Sequence, residues 1–397
     1  MLRLAVRMLL GEPARWMGVV LGVFFCTFLI THLLSMFSGM MERSYALVTD
    51  IPEADIWVMD PAVENVDEPF GLPATAMERV RGVEGVSWAL PLYTGSLRAR
   101  MTSGALRPVL IIGVDDATLV GAPRHMLEGS LADLRLGDGV VVDEASAKNL
   151  LRVPLYPQTR LPGWQAPQLT GPTRALGVGD EMLVNDRRLK VVGIAKLTPR
   201  FMSRPVVYTT YSRAVDISPR QRNLLSFILV RVADGRDPVA VAREIDSRTG
   251  LRARTHGEFT ADTYWYYVRT TGVVARMGLM VSIGVAVGVS VSSLLLYLFT
   301  IDNERYYATF KALGATNAMI AGMIAVQAMV CGACGYGIGV GVSSAVGTFV
   351  VTDAMPYVLT VWTLLFTLGA VLVVCVVSAV LSALRVFRLD PASVFNK

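Results

Sequence analysis

Few side chains in this 397-residue sequence stand at spacings that do chemistry. His125 and His256 are far apart, and the stretch that holds them has no cysteine to serve as a nucleophile. Asp115-Asp116 and Asp143-Glu144 are adjacent acids. Without a third partner they read as solvated loop faces rather than as an acid–base pair or a metal site. Cys331-x-x-Cys334 has redox or zinc spacing, but its surroundings are Gly and Val in an apolar run. There it reads as small residues that let helices approach closely. The remaining cysteines, Cys26 and Cys375, also lie in apolar runs, so no disulfide framework is expected. A phosphate-binding loop needs Gly-Lys before Ser or Thr, and none of the five lysines follows a glycine. No catalytic residue and no metal ligand is expected.

The elements that carry these residues are mostly apolar. The chain is 53% hydrophobic and 17% charged, with mean hydropathy +0.49, which predicts a membrane protein with a substantial soluble part. A net charge of +5 without a basic tract reads as topology signal, not nucleic-acid affinity. Residues 1–15 predict an amphipathic helix on the membrane surface, with Leu2, Ala5, Val6, Leu9 and Leu10 on one face. The first span is expected at 16–37, the second at 277–301, the third at 318–352 and the fourth at 355–384. The apolar run at 312–352 leaves no room for a turn between two spans of about 20 residues each, so it reads as one span, loosened by Gly332, Gly335, Gly337, Gly339 and Gly341. Gly18-x-x-x-Gly22 and Gly284-x-x-x-Gly288 predict close helix contacts, including pairing with a second copy. His32 is the one titratable group inside the first span. Arg3, Arg7 and Arg15 at one end, and Arg385, Arg388 and Lys397 at the other, put both termini on the cytoplasmic side.

Residues 38–276 then lie outside. They are charged, punctuated by Pro and Gly, and rich in short β-branched runs, which predicts a mixed α/β domain. Strands are expected at 55–59, 109–114, 139–142, 181–184, 189–195, 206–209 and 227–232, and helices at 75–80, 144–150 and 238–249. Met182–Ile194 alternates apolar and polar residues around an Asn-Asp hairpin turn. Leu155–Pro172 reads as a Pro-rich loop, and Tyr264, Trp265, Tyr266 and Tyr267 as an aromatic belt at headgroup level.

Between the second and third spans sits a short charged segment at 302–317, DNERYYATFKALGATN. It has good helix formers at Ala308–Leu313 and a glycine, Gly314, placed to end a short helix. A cytoplasmic helix of this kind offers a soluble partner a knob to grip. The segment resembles the coupling segment of the FtsX/MacB superfamily of ABC transporter permeases, most of all the DevC type, whose consensus runs roughly R-E-Y-A-T-L-K-A-L-G. Arg305, Tyr307, Ala308, Thr309, Lys311, Ala312, Leu313 and Gly314 match it, while its glutamate falls on Tyr306, with Glu304 two positions earlier. Leu389–Phe395, in the tail at 385–397, resembles an ending of the same superfamily, and Gly139–Leu150 with Val191–Ile194 resembles the MacB periplasmic domain.

The resemblance implies one plus three transmembrane helices and a periplasmic domain of two subdomains. One subdomain would be discontinuous, with residues 238–249 returning beside residues 54–81. It also implies a permease of the bacterial inner membrane that works as a homodimer with a separate dimeric ATPase, which supplies ATP and magnesium chemistry. Glu304, Arg305, Tyr306, Tyr307, Lys311, Ala312, Leu313 and Gly314 would meet that ATPase. Mechanotransmission to the outer domain, a periplasmic membrane-fusion adaptor, an outer-membrane channel and export of a substrate from the periplasm or outer leaflet complete the expectation. The other reading is an FtsX-like signal transducer controlling a cell-wall hydrolase.

Overall fold

The computed structural model describes residues 8, 9, 11, 13–155, 172–201, 204–219, 225–349 and 356–387. The surface helix expected at the N-terminus, the interior of the Pro-rich loop, Asp353 and the C-terminal tail therefore lie outside the described residues. The chain forms two compact units, Met41–Thr270 and the remainder.

The chain enters on helix α1 (Pro13–Ser44) and the one-turn α2 (Ala46–Thr49). Strand β1 (Ile56–Met59) and helix α3 (Thr75–Arg81) lead to the 16-residue β2 (Val86–Met101) and its partner β3 (Leu106–Val114). Then come β4 (Met126–Gly129), β5 (Gly139–Asp143), α4 (Glu144–Lys148) and the short pair β6 (Val153–Pro154) and β7 (Thr173–Arg174). β8 (Glu181–Val184), β9 (Arg187–Ala195), β10 (Val206–Thr210), α5 (Tyr211–Ile217), β11 (Phe227–Val232), α6 (Pro238–Thr249), β12 (Arg252–Thr255) and α7 (His256–Thr270) complete the outer unit. The membrane unit takes α1 to Met40 and adds α8 (Val273–Asp302), α9 (Glu304–Ala312), α10 (Asn317–Phe349) and α11 (Val361–Phe387).

Among the described residues, four helices are long and apolar enough to cross a membrane: α1, α8, α10 and α11. α1 runs past the expected end at Phe37 to Ser44. Ser38 and Gly39 follow Phe37, but Met40, Met41, Glu42 and Arg43 are good helix formers and no proline intervenes. The run at 312–352 forms one helix from Asn317 to Phe349.

In the outer unit the sheet order is β12-β1-β11-β2-β3-β10-β5-β9-β4, with β8 bridging β2 and β9. β1 and β2 flank β11, and β11 and β12 flank β1, all antiparallel. The result is two interlocked split βαβ units, of the ferredoxin-like kind, with α3 and α6 as the crossovers. Ile56, Val58, Ala76, Val80, Val241, Ala242 and Ile245 make their common core, so residues 238–249 do return beside residues 54–81. The second subdomain is inserted between Tyr93 and Ser226 and is built mostly of strands.

The local chemistry explains why α6 was easy to read. Asp237 accepts from the amides of Val239 and Ala240, Pro238 opens the helix, and Gly250 at φ +69 closes it. The β8–β9 turn sets Asn185 and Asp186 at φ 50 and 63, as a type I′ hairpin requires. Strand β2 was missed because Pro91 stands inside it. Leu92 and Thr94 turn their backbone groups toward the β11 side, so Pro91 turns its missing N–H to the opposite edge, where β3 pairs only from Tyr93 onward.

The aromatic run at Tyr264–Tyr267 lies on α7, within the outer unit. Tyr267 is buried and donates to Asp67 Oδ2 at 2.5 Å, and Tyr266 donates to Glu68 Oε2 at 3.2 Å. Asp67 and Glu68, on the segment between β1 and α3, thus hold two of the four aromatics within the outer unit.

Candidate functional site

α9 is held by its neighbours through particular side chains. Asn303 is buried between α8 and α9. Its amide group donates to the Phe299 carbonyl, and its own carbonyl accepts from the Tyr306 and Tyr307 amides. Tyr307 is fully buried and donates to Gln327 Oε1 on α10 at 3.0 Å. Burial pushes its phenol up to about 12, against the pull of that hydrogen bond, so the hydroxyl stays protonated and keeps donating. Ala308 packs on the same side. Lys311 Nζ donates to the Val386 and Phe387 carbonyls at 3.1 and 3.3 Å, a cation at the C-terminal end of α11. Gly314 sits at φ +92, its amide bonds to the Lys311 carbonyl, and the Ala315 amide reaches Phe310. This is a Schellman ending, which requires glycine there.

The expected coupling residues, taken together with Ala308 and Thr309 of the same motif, divide by face. Tyr307, Ala308 and Lys311 tie α9 to α10 and α11. Arg305, Tyr306, Thr309, Ala312 and Leu313 face outward, with Tyr306 60% and Leu313 79% exposed, and Glu304 stands half-buried at the first turn. Arg305 and Thr309 are four apart and Tyr306 and Leu313 seven apart, so the outward residues form one stripe across two turns. Sequence matching alone treats these positions alike. The i, i+1, i+4 spacing of Tyr307, Ala308 and Lys311 was the signal that could have separated them.

The small-residue motifs meet within one chain. Gly22 faces Ser292 and Val291 on α8, where a Cβ would come 3.1 Å from each. A Cβ on Gly288 would lie 2.5 Å from Cys26 Cβ. Gly18 and Gly284 lie beside Leu295 and Leu29 at ordinary contact distance. The faces read as free for a second copy are thus occupied by the α1–α8 contact. The glycines of α10 do not loosen it. Gly335 and Gly339 press on Val23 and Thr27 of α1, where a Cβ would come within 2.7 and 2.6 Å, and Gly332 faces Cys375 of α11. Gly337 and Gly341 have open space. The spacing 332, 335, 339 marks a helix face, which a count of glycines hides.

His32 stacks between Phe28 and Tyr357, with ring centroids 5.5 Å away on either side. In the outer unit, Asp143 caps α4 and Asp115 Oδ2 accepts from the amide and hydroxyl of Thr118, so these acids serve turns and caps. No group of three or more metal-ligating side chains occurs among the described residues.

Arg200, 5% exposed, pairs with Asp50 at 3.0 Å and reaches the Tyr208 hydroxyl. Nearby, burial pushes the Asp67 carboxyl above its usual range, although the Tyr267 hydroxyl and the Arg200 and Arg204 guanidinium groups pull it down. A carboxyl raised by folding stabilises the fold as pH falls through the raised value, and the contribution is lost as pH rises above it. Asp67→Asn is therefore expected to raise the melting temperature of the outer unit at neutral pH by a few degrees. It should also flatten the pH dependence on the acid side, as read by differential scanning calorimetry of the full chain.

A family model described as the MacB-like periplasmic core domain matches residues 17–248. A second, the FtsX-like permease C-terminal domain, matches residues 276–391. Among solved structures, the extracellular domain of the noncanonic ABC-type transporter YknZ from Gram-positive bacteria is 13% identical. It covers 51% of this chain and 99% of its own, at TM-score 0.33. The periplasmic region of MacB from Actinobacillus actinomycetemcomitans is 11% identical, covering 53% and 92% at TM-score 0.34. A domain of a putative permease protein from Porphyromonas gingivalis is 12% identical, covering 51% and 89% at TM-score 0.29. No curated protein matches the chain.

Proposed function

Because the chain belongs to the FtsX/MacB family of ABC transporter permeases, we propose that it is the membrane subunit of an ATP-driven exporter and works by mechanotransmission. A separate ATPase, which binds ATP and magnesium, docks on the outward stripe of α9. Its closure moves α10 through Tyr307–Gln327 and α11 through Lys311. The single observation that carries this reading is the two-sided construction of α9: three motif residues anchor it to two different spans, while the others are left facing out.

The working unit is a pair of these chains with a pair of ATPases in the bacterial inner membrane. The outer domain faces the periplasm and hands substrate from the periplasm or outer leaflet to a membrane-fusion adaptor and an outer-membrane channel. The test is purification of the full chain from its own membranes, with mass spectrometry of what accompanies it. An ATPase together with an adaptor supports the exporter. An ATPase with a cell-wall hydrolase and no adaptor transfers the assignment to signalling, and absence of any ATPase overturns both.

A further inference from the structure

Helix α7 is built with two unlike faces. Phe259, Thr263 and Tyr267, each four apart, are buried and fix the helix in the outer unit. Ala261, Trp265 and Arg269, at the same spacing, are exposed on another side. Trp265 is 52% exposed although it is the largest side chain of the helix. Tyr266 and Tyr267 are engaged by Glu68 and Asp67, and Tyr264 is half-buried. Of the four aromatics in this run, Trp265 is thus the one left open.

Two neighbours on its own helix hold the indole in place. The Tyr264 ring meets it edge-on, with centroids 5.5 Å apart and planes at 87°. The Arg269 guanidinium lies over the indole, 5.7 Å from the ring centroid, as the spacing of four on a helix allows. This contact neutralises no charge and leaves most of the five guanidinium N–H donors unused. The chain supplies no anion for them: among the described residues, the ring contact is the interaction that the Arg269 side chain makes. The acids of the same helix are committed elsewhere. Glu258 accepts from the Thr255 amide and hydroxyl, and Asp262 pairs with Arg252 and Arg254.

Chain order limits what this pair can meet. Arg269 precedes Val273, where spanning helix α8 begins, by four residues, at most about 14 Å of extended chain. The hydrocarbon core is flanked on each side by about 5–8 Å of headgroups. An indole next to a cation suits that layer, with its ring toward the glycerol and its charge toward phosphate. A guanidinium fork matches the two free oxygens of a phosphodiester. In phosphatidylcholine the lipid's own ammonium competes for that phosphate, whereas phosphatidylglycerol leaves it to the protein. We infer that Trp265 and Arg269 form a binding site for the headgroup phosphate of an anionic phospholipid. The guanidinium takes the phosphate oxygens and the indole lies against the glycerol and first methylenes. The site stands whether or not an ATPase docks on α9.

Tryptophan emission of the full-length protein reads the site in neutral detergent micelles doped with phosphatidylglycerol or phosphatidylcholine. The chain holds six tryptophans, so the Trp265 signal is taken as the difference from Trp265→Phe. Phosphatidylglycerol is expected to give a saturable shift in this difference signal. Its half-saturating mole fraction should be at least about tenfold lower than for phosphatidylcholine, the worth of one charge-assisted pair. Arg269→Gln should bring the two lipids to the same value. Arg269→Lys keeps the charge but not the fork, and should restore only part of the preference. All three variants should melt with the wild type, because both side chains are exposed.

Equal responses of the wild type to the two lipids reduce Trp265 to an ordinary interfacial aromatic and overturn the site. So does a phosphatidylglycerol preference that persists in Arg269→Gln. Full preference in Arg269→Lys assigns the effect to diffuse surface charge and overturns the fork. Inorganic phosphate is titrated at the same phosphate concentration. If it reproduces the shift, the site takes a free anion and the lipid assignment falls.

Discussion

Arg305→Glu combined with Leu313→Asp is expected to strip the ATPase from the purified complex while leaving the membrane unit as stable as the wild type. Both side chains lie on the outward stripe of α9, and Leu313 is 79% exposed, so neither contributes to packing within the chain. Short interfaces concentrate their energy in a few aromatic, apolar and arginine anchors, each worth about 2 kcal/mol or more when removed. Loss of two such anchors, with a charge reversed, corresponds to an affinity lower by about a thousandfold or more. The inward residues should behave in the opposite order. Tyr307→Phe deletes the bond to Gln327 inside a fully buried contact, at a cost of about 1–3 kcal/mol, and Lys311→Met removes the cation from the end of α11. These variants should lower the melting temperature first, and lose ATPase only in proportion to misfolding. Co-purification and thermal unfolding measured on all four changes separate the two classes. If Tyr307→Phe loses the ATPase at unchanged stability, the division of α9 into anchor and docking faces is wrong.

What could be read beforehand followed from signals that survive without neighbours. Helix α6 carries its own start and stop in Asp237, Pro238 and Gly250, and the β8–β9 hairpin carries its turn in Asn185-Asp186, so both were legible residue by residue. Apolar length placed the four spans, because a bilayer imposes a minimum length whatever packs beside it. Strand β2 was hidden by Pro91, whose harmlessness depends on which edge faces an empty space, a fact about β3 and β11 rather than about β2. β12, Arg252–Thr255, alternates charged residues with Ala253 and Thr255 and pairs on one side only, with β1. Its place in the sheet is decided by β1 and by the helix that precedes it. At the candidate site, the motif located α9 but not its orientation. Tyr306 and Tyr307 are the same residue type one position apart, and only the turn of the helix on Asn303 sends one outward and the other into the bundle.

The same limit applies to the glycine motifs, where spacing announced a close contact but not its partner, and it leads to the other large effect. Gly288→Ala is expected to disrupt the α1–α8 contact, because the new Cβ would stand 2.5 Å from Cys26 Cβ and 2.6 Å from its Sγ. The obstructing atoms belong to the stem of a short side chain, so no rotamer change clears them and the helices must move apart. Overpacking of this kind costs about 1–3 kcal/mol, and in a bilayer no hydrophobic gain from lipid exposure offsets the lost dispersion. Moving the missing Cβ to the other helix restores the room. The double variant Cys26→Gly with Gly288→Ala is therefore expected to recover most of the stability that Gly288→Ala loses, whereas Cys26→Gly alone gives a small loss from the gap it leaves. Thermal unfolding of the three variants in detergent closes the cycle, and the coupling term should be favourable and of the same order as the single-variant loss. Additive effects would mean that Gly288 and Cys26 do not meet. The interface that Gly18-x-x-x-Gly22 and Gly284-x-x-x-Gly288 define would then be available to a second copy after all.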